Sequence, residues 1–165
     1  MIVAPGYVVD ASALIQAARQ FYAFDIFPAF WSMLEMQGAA GQIGSIDRVL
    51  EELQLGRDRL AEWATNNCGI CFASTDRVEV LERYRQIMGW LQKQDQFFEA
   101  GKMEFAAGAD GWLVAYAVEE QCKVVTQEKF NAESKRTVPI PNVCMAFGVQ
   151  CVDLFAMMRE LHITF

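Results

Sequence analysis

Histidine and cationic side chains are scarce in this sequence. His162 is the single histidine, and 14 lysines and arginines stand against 21 aspartates and glutamates, which gives a formal net charge of −7. One histidine argues against a Ser-His-Asp or Cys-His catalytic group. The negative charge argues against broad electrostatic binding of nucleic acid, which needs lysine and arginine to neutralise phosphates. The charge does not exclude a site at which bound divalent cations supply the positive charge.

Long apolar runs and glycine-rich nucleotide motifs are also missing. No apolar run reaches the roughly 18 residues that a membrane helix needs, and residues 1–5 lack the features of a signal peptide. We therefore expect a cytoplasmic protein that has no membrane segment. Neither G-x-x-x-x-G-K-[ST] nor G-x-G-x-x-G occurs, so nucleotide binding by a glycine loop is unsupported.

The five cysteines do not suggest a disulfide framework. Their odd number and mostly apolar surroundings favour buried, reduced thiols. Cys68 and Cys71 match C-x-x-C, but a zinc site would need two more ligands. A redox motif would usually open a helix, whereas residues 70–73 are typical of a strand. Both interpretations are therefore the weaker alternatives.

Length and patterning predict the fold class. A chain of 165 residues, 53% of them apolar, should form one domain over residues 1–165 with a sizeable core. Predicted strands alternate with helices, which favours an α/β/α sandwich with a mostly parallel central sheet and helices on both faces. We expect a short link or edge strand at 42–45, a break at 101–108 and a loop at 131–142. The predicted strands are 7–9, 68–73, 122–126 and 149–152.

The stretch Tyr7-Val8-Val9-Asp10 is the first candidate for part of a functional site. A short apolar strand runs into a carboxylate and then into a predicted helix. In a parallel sheet such a turn lies at the carboxyl end of the strand, in the crevice where ligands bind. The alternative is that Asp10 only caps the helix, and the stretch alone does not separate the two.

Three further acids have comparable positions. Glu52 borders the apolar stripe of a predicted helix, Asp110 begins another helix, and Glu128 follows a strand. Together with Asp10 they would repel one another unless a cation lay among them. Hard oxygen ligands indicate Mg²⁺ or Mn²⁺, which supports phosphodiester hydrolysis. The alternative is that Glu52, like its neighbour Glu51, is a solvated surface acid.

An aromatic-rich stretch at 21–31 is the other conspicuous feature. So many large rings must be buried in the core, in a dimer surface or in a partner groove, and the core is favoured. Tyr22, Phe24 and Trp31 are alternatively candidates for stacking on unpaired bases or for holding a partner helix.

The acidic motifs resemble, in order and spacing, the successive motifs of a PIN domain. The resemblance covers nearly the whole chain and is closest to a branch of PIN-like proteins of unassigned function. The motifs that carry it are 8–15, 49–53, 109–117 and 124–129, with 27–31 and 140–144 typical of that branch.

The resemblance implies a PIN-like (Rossmann-like) fold and a metal-dependent endoribonuclease, in many relatives the VapC-type toxin of a toxin-antitoxin pair. By this resemblance Asp10, Glu52 and Asp110 are the principal ligands of Mg²⁺ or Mn²⁺. Glu128 stands where the family usually has aspartate, which leaves open whether it binds metal directly or through water. The implied partners are an RNA substrate, an antitoxin protein and a second copy in a homodimer.

Five further residues complete the predicted site. Ser12 and Thr126 would be hydroxyls that orient ligands or water. Lys129, Lys135 and Arg136 follow the fourth acid and are candidates for binding RNA phosphates, with a solvated loop as the equal alternative. A PIN-like fold kept as a binding or scaffold module with little catalysis is the second hypothesis for the whole chain.

Overall fold

The computed structural model describes residues 4–165, in which five parallel strands form one sheet of order β3-β2-β1-β4-β5. A π-helical turn, Ala17–Phe21, directly continues the first helix. The strands are β1 (Tyr7–Val9), β2 (Ile43–Ile46), β3 (Phe72–Ala73), β4 (Lys123–Val125) and β5 (Cys151–Val152).

Nine α-helices flank this sheet within the described residues. None of them combines the length and the apolar character that are needed to cross a membrane. The helices are α1 (Ala11–Gln16), α2 (Pro28–Ala39), α3 (Asp47–Leu55), α4 (Arg59–Asn66), α5 (Val78–Gln92), α6 (Glu99–Ala107), α7 (Asp110–Glu120), α8 (Ile140–Ala146) and α9 (Leu154–Glu160).

The strand order places a topological switch beside β1. The chain adds β2 and β3 on one side of β1 and then β4 and β5 on the other. Val8 pairs with Val124 and Val9 with Val125 in the central ladder, and all four side chains are buried. Ligands of open parallel sheets bind outside the carboxyl ends of the strands at such a switch. The segments that follow β1 and β4 therefore define the place to look for a site.

The sandwich buries one apolar core between the sheet and its helices. Its largest fully buried side chains come from every layer, among them Leu34 of α2, Ile87 of α5, Leu113 of α7 and Met157 of α9. The predicted α/β class, with a parallel sheet and helices on both faces, is confirmed. Because a buried parallel strand is apolar on both faces, the short valine-rich strands could be recognised from sequence.

The prediction of a link or edge strand at 42–45 was wrong. Residues Ile43–Ile46 form β2, an inner strand between β1 and β3 whose four residues are all buried. Its small residues are needed because a Cβ on Gly44 would lie only 2.9 Å from Cγ of Pro5. The Ser45 hydroxyl does not cap α3; it donates a hydrogen bond of 2.6 Å to the carbonyl of Val9.

One segment that looked irregular is mostly helical, whereas the predicted loop is confirmed over residues 131–139. Most of the predicted break at 101–108 belongs to α6, and the predicted loop at 131–142 ends inside the first turn of α8. Gly101 permits close packing of α6, since a Cβ there would lie 2.5 Å from the carbonyl oxygen of Arg136. Pro141 lies in the first turn of α8, where a proline costs no helical hydrogen bond.

The aromatic stretch divides between core and surface. Phe30 and Trp31 are buried, and the half-buried Tyr22 stacks on Phe30 with ring centroids 4.2 Å apart. Phe21 and Phe27 are exposed. The core prediction is therefore confirmed for part of the stretch only.

All five cysteines are free thiols, which agrees with the absence of a disulfide framework. Cys122 and Cys144 are buried, but Cys68 and Cys71 are exposed, so the expectation of burial was wrong for the C-x-x-C pair. The strand there is limited to Phe72–Ala73, because only those residues pair with β2.

Gly101→Ala should lower the free energy of unfolding by about 1–3 kcal/mol, because the added methyl group would overlap the backbone of Arg136. Gly89→Ala is the matched control, since Gly89 also lies inside a helix and a Cβ there meets nothing within 4 Å. It should raise stability by about 0.5–1 kcal/mol. Urea denaturation measures both; equal effects would contradict the close packing of α6 on residue 136.

Candidate active site

Asp10 lies directly after β1 and is only 3% exposed. Its backbone N–H donates to the carbonyl of Val125 at 2.9 Å, which extends the β1–β4 ladder by one residue. Asp10 precedes α1, but its side chain makes no capping hydrogen bond to that helix. Burial raises the pKa of its carboxylate, but the backbone N–H groups of Ala11 and Ser12 still lower that pKa by hydrogen bonding, so Asp10 also interacts with the start of α1.

Two hydroxyl groups hold the Asp10 side chain. Ser12 donates to Oδ2 of Asp10, and Thr126 donates to the same oxygen at 3.0 Å. The two hydroxyl oxygens are 3.3 Å apart, and the backbone N–H of Glu128 donates to Thr126 Oγ1 at 3.2 Å. The predicted hydroxyls thus connect the segments that follow β1 and β4.

Glu52 reaches the start of α7 from α3. Its Oε1 accepts a hydrogen bond of 2.9 Å from the backbone N–H of Ala109, the residue before Asp110. Glu52 is half-buried, whereas Glu51 is exposed, as the helical stripe predicted. The turn before α7 also lies close to Glu52, since a Cβ on Gly108 would be 3.3 Å from Glu52 Oε1.

Glu128 joins the segment after β4 to the start of α8. Its Oε2 accepts a hydrogen bond of 2.7 Å from the backbone N–H of Ile140. Glu128 and Asp110 line the same small cavity, with a volume of about 110 Å³, together with Glu104 of α6. We refer to this cavity and the adjoining side chains of Asp10 and Glu52 as the acidic pocket.

The charges of the acidic pocket act on one another. Burial, and then the negative charges of Asp10, Glu128, Glu52 and Glu104, raise the pKa of Asp110 to about 8. Burial is also the main cause that raises the pKa of Asp10, Glu52 and Glu128. The charge of Asp10 adds to the rise in the pKa of Glu52 and of Glu128. The four predicted acids therefore lie within one another's electric field.

The donor set has the chemistry of a magnesium or manganese site, because it consists of carboxylate and hydroxyl oxygens. Within residues 4–165, however, no three acidic, cysteine or histidine side chains converge closely enough to hold a metal ion. The reason is that Asp10, Glu52 and Glu128 turn towards donors of the protein. A cation would have to replace some of these hydrogen bonds or bind through water molecules.

An aromatic stack fixes the start of α7. The guanidinium carbon of Arg48 lies 3.9 Å from the ring centroid of Trp112, whose other neighbour, Tyr84, is stacked at 3.9 Å. The Tyr84 hydroxyl donates to the carbonyl of Ala106 at 3.0 Å. Helices α3, α5, α6 and α7 are thereby tied together two residues from Asp110.

The predicted RNA-binding cations lie at the surface. Lys129 is exposed, and its Nζ lies 3.9 Å from Oδ2 of Asp153. Lys135 and Arg136 are also exposed, and the carbonyl of Lys135 accepts a hydrogen bond of 2.8 Å from the backbone of Phe98. None of these contacts neutralises the acidic pocket, and Lys129 is already paired with Asp153.

Glu104 was not among the acids predicted from the sequence. It lies on α6, a segment that its glycines made resemble a break. No local pattern could have identified it, because Glu104 and Asp110 lie on different helices, α6 and α7. The structure places Glu104 beside the same cavity as Asp110, exposed to solvent.

Asp110→Asn should stabilise the metal-free protein increasingly as the pH rises. The folded state raises the pKa of Asp110 from 3.8 to about 8. Between pH 4 and pH 8 the unfolded state loses this proton while the folded state keeps it, so the free energy of unfolding of the wild type falls as the pH rises. One pKa unit corresponds to about 1.4 kcal/mol, and we expect a gain of at least about 2 kcal/mol at pH 8. Thermal unfolding in EDTA measures it. Asp76→Asn removes an exposed charge as the control, and a pH-independent difference for Asp110→Asn would refute the prediction.

The comparison with known families covers almost the same residues as this fold. A family model described as a domain of unknown function, DUF4411, matches residues 7–165. Among the curated proteins nothing matches the chain. Since the family model spans all five strands and the acidic pocket, the chain belongs to the DUF4411 family.

Proposed function

We propose that this chain is a PIN-like, metal-dependent endoribonuclease that hydrolyses phosphodiester bonds of RNA. The observation that carries the proposal is that four carboxylates near the switch point of the sheet are close enough to act on one another electrostatically. They come from α3, from the start of α7 and from the segments after β1 and β4. Packing alone does not require such a cluster, because buried like charges cost free energy. The resemblance to PIN domains, which is carried by the motifs that contain these acids, supports the same proposal.

The ion would be Mg²⁺ or Mn²⁺. Asp10, Glu52 and Asp110 would be its principal ligands, and Glu128 would bind it directly or through a water molecule. A divalent cation would reduce the repulsion that the acids exert on one another. When bound, it would polarise the phosphate and lower the pKa of a water molecule.

The remaining predicted residues would orient the metal ligands and bind the RNA. Ser12 and Thr126 donate to the same oxygen of Asp10 and so would fix the orientation of the carboxylate for a ligand. Lys129, Lys135 and Arg136 would contact RNA phosphates and place the strand. In the overall reaction, water adds to phosphorus, one P–O bond to ribose breaks, and the leaving oxygen takes up a proton.

The biological setting follows from the resemblance alone. We propose that the protein is a VapC-like toxin of the cytoplasm. Its partner would be an antitoxin protein, and it would assemble as a homodimer. The exposed aromatic residues Phe21 and Phe27 are available to a partner.

A binding or scaffold module is the second candidate. The engagement of Glu128 by the backbone of Ile140 favours it, since that hydrogen bond uses an oxygen that a metal would need. The net charge of −7 also weakens affinity for RNA. Metal binding and RNA cleavage, measured separately, distinguish the two candidates.

Asp10→Asn should abolish specific Mn²⁺ binding measured by calorimetry, because it removes the most buried carboxylate of the acidic pocket. Glu51→Gln is the matched control, since Glu51 is exposed on the same helix as Glu52 and should leave the affinity unchanged. An unchanged affinity in Asp10→Asn, or no binding by the wild type, would exclude the proposed metal site.

The wild-type protein with Mn²⁺ should cleave single-stranded RNA and leave p-nitrophenyl phosphate intact. Asp110→Asn should slow cleavage at least about 100-fold, because a metal-bound transition state loses several kcal/mol of stabilisation. Glu51→Gln should cleave at the wild-type rate. Gel analysis of a labelled RNA gives the rates, and equal rates in all three proteins would assign the cleavage to a contaminant.

A further inference from the structure

A larger cleft lies beside the acidic pocket and shares Glu128 with it. Its volume is about 630 Å³, within the range of roughly 300–1,000 Å³ that is usual for small-molecule sites. Thr126 and Asp153, which follow β4 and β5, form its floor together with Val152, and α8 and α9 contribute Pro141, Met145 and Ala156. We call it the β4–β5 cleft.

The walls of the β4–β5 cleft are suited to a flat, apolar ring. Phe130 is 48% exposed and Met145 is 66% exposed, although both are apolar side chains. Among the aromatic pairs found in the described part of the chain, none includes Phe130, so the faces of its ring are not used for stacking. Aromatic rings and polarisable thioethers both bind planar rings well.

The polar groups of the cleft include a hydrogen-bond donor and acceptors that suit the edge of such a ring. Asp153 accepts a hydrogen bond of 2.8 Å from Ala156 through Oδ1, and its Oδ2 faces Lys129. Lys129 is the single cation among the residues that line the cleft, beside Glu128 and Asp153. Lys129 can donate a hydrogen bond to a carbonyl group or ring nitrogen of a base. The carboxylates of Glu128 and Asp153 can accept hydrogen bonds from its amino and imino groups.

We propose that the β4–β5 cleft binds one unpaired nucleobase of single-stranded RNA, stacked on Phe130 beside Met145. Because the cleft adjoins the acidic pocket at Glu128, the next phosphate of the bound strand would lie at the acidic pocket. A base paired within a duplex could not enter the cleft, so the substrate would be single-stranded. This inference rests on the proposed ribonuclease function, but binding can be measured without hydrolysis.

The test is the affinity for a fluorescein-labelled single-stranded RNA hexamer in EDTA, where metal-dependent cleavage cannot consume the probe. Phe130→Ala should weaken binding roughly tenfold, the loss typical of one base–aromatic stack. Phe130→Trp should retain binding. Phe27→Ala is the matched control, because Phe27 is 45% exposed but lies outside the cleft. The same hexamer in a duplex should bind more weakly than the single strand.

A second measurement locates the base. The methyl resonance of Met145, assigned with Met145→Leu, should shift when the hexamer is added to the wild-type protein, and in Phe130→Ala the same shift should need roughly tenfold more hexamer. Equal affinities of wild type and Phe130→Ala, or equal losses in Phe130→Ala and Phe27→Ala, would overturn the base site even if RNA is cleaved. A selective loss in Phe130→Ala would support the base site even if Mn²⁺ binding and cleavage fail.

Discussion

The buried carboxylate of Asp10 is the constraint on which the site depends. It lies between the two central strands and accepts hydrogen bonds from the hydroxyls of Ser12 and Thr126. Hydroxyl groups satisfy the oxygen atoms but do not cancel a negative charge. The field of Asp10 therefore extends to Glu52, Asp110 and Glu128 and raises the pKa of each. An excess of negative charge is thus built into the point where the strand order reverses.

The negative charge is not stabilised equally at the four acids. Glu52 and Glu128 each accept a backbone N–H at the start of a helix, from Ala109 and Ile140, which favours their charged forms. Asp110 has no such hydrogen bond among those found in residues 4–165, and burial and the neighbouring charges raise its pKa to about 8. The hydrogen bonds of Glu52 and Glu128 also tie α3 to α7 and the segment after β4 to α8. The same side chains consequently stabilise the fold and concentrate charge at the crevice.

Two neighbouring cavities with different chemistry meet at Glu128. The acidic pocket collects carboxylates around Asp110, whereas the β4–β5 cleft presents Phe130 and Met145 beside a single lysine. A charged centre next to an apolar-walled cleft is suited to a ligand with an anionic backbone and flat rings. The proposed RNA substrate is compatible with the net charge of −7, since stacking on Phe130 would provide affinity that surface cations do not.

Local patterns in the sequence determined β1, β4 and the start of α7, because short valine runs and an acid before an apolar helix carry their signals within a few residues. They also identified Asp10, Glu52, Asp110 and Glu128, which the structure brings into one another's field. Only the tertiary structure decided that Ile43–Ile46 is an inner strand, that Glu104 joins the acidic pocket, and that Phe130 lines a cleft. Each of these depends on contacts between segments far apart in the chain, such as Gly101 against Arg136 and Glu128 against Ile140, and a local pattern contains no information about them.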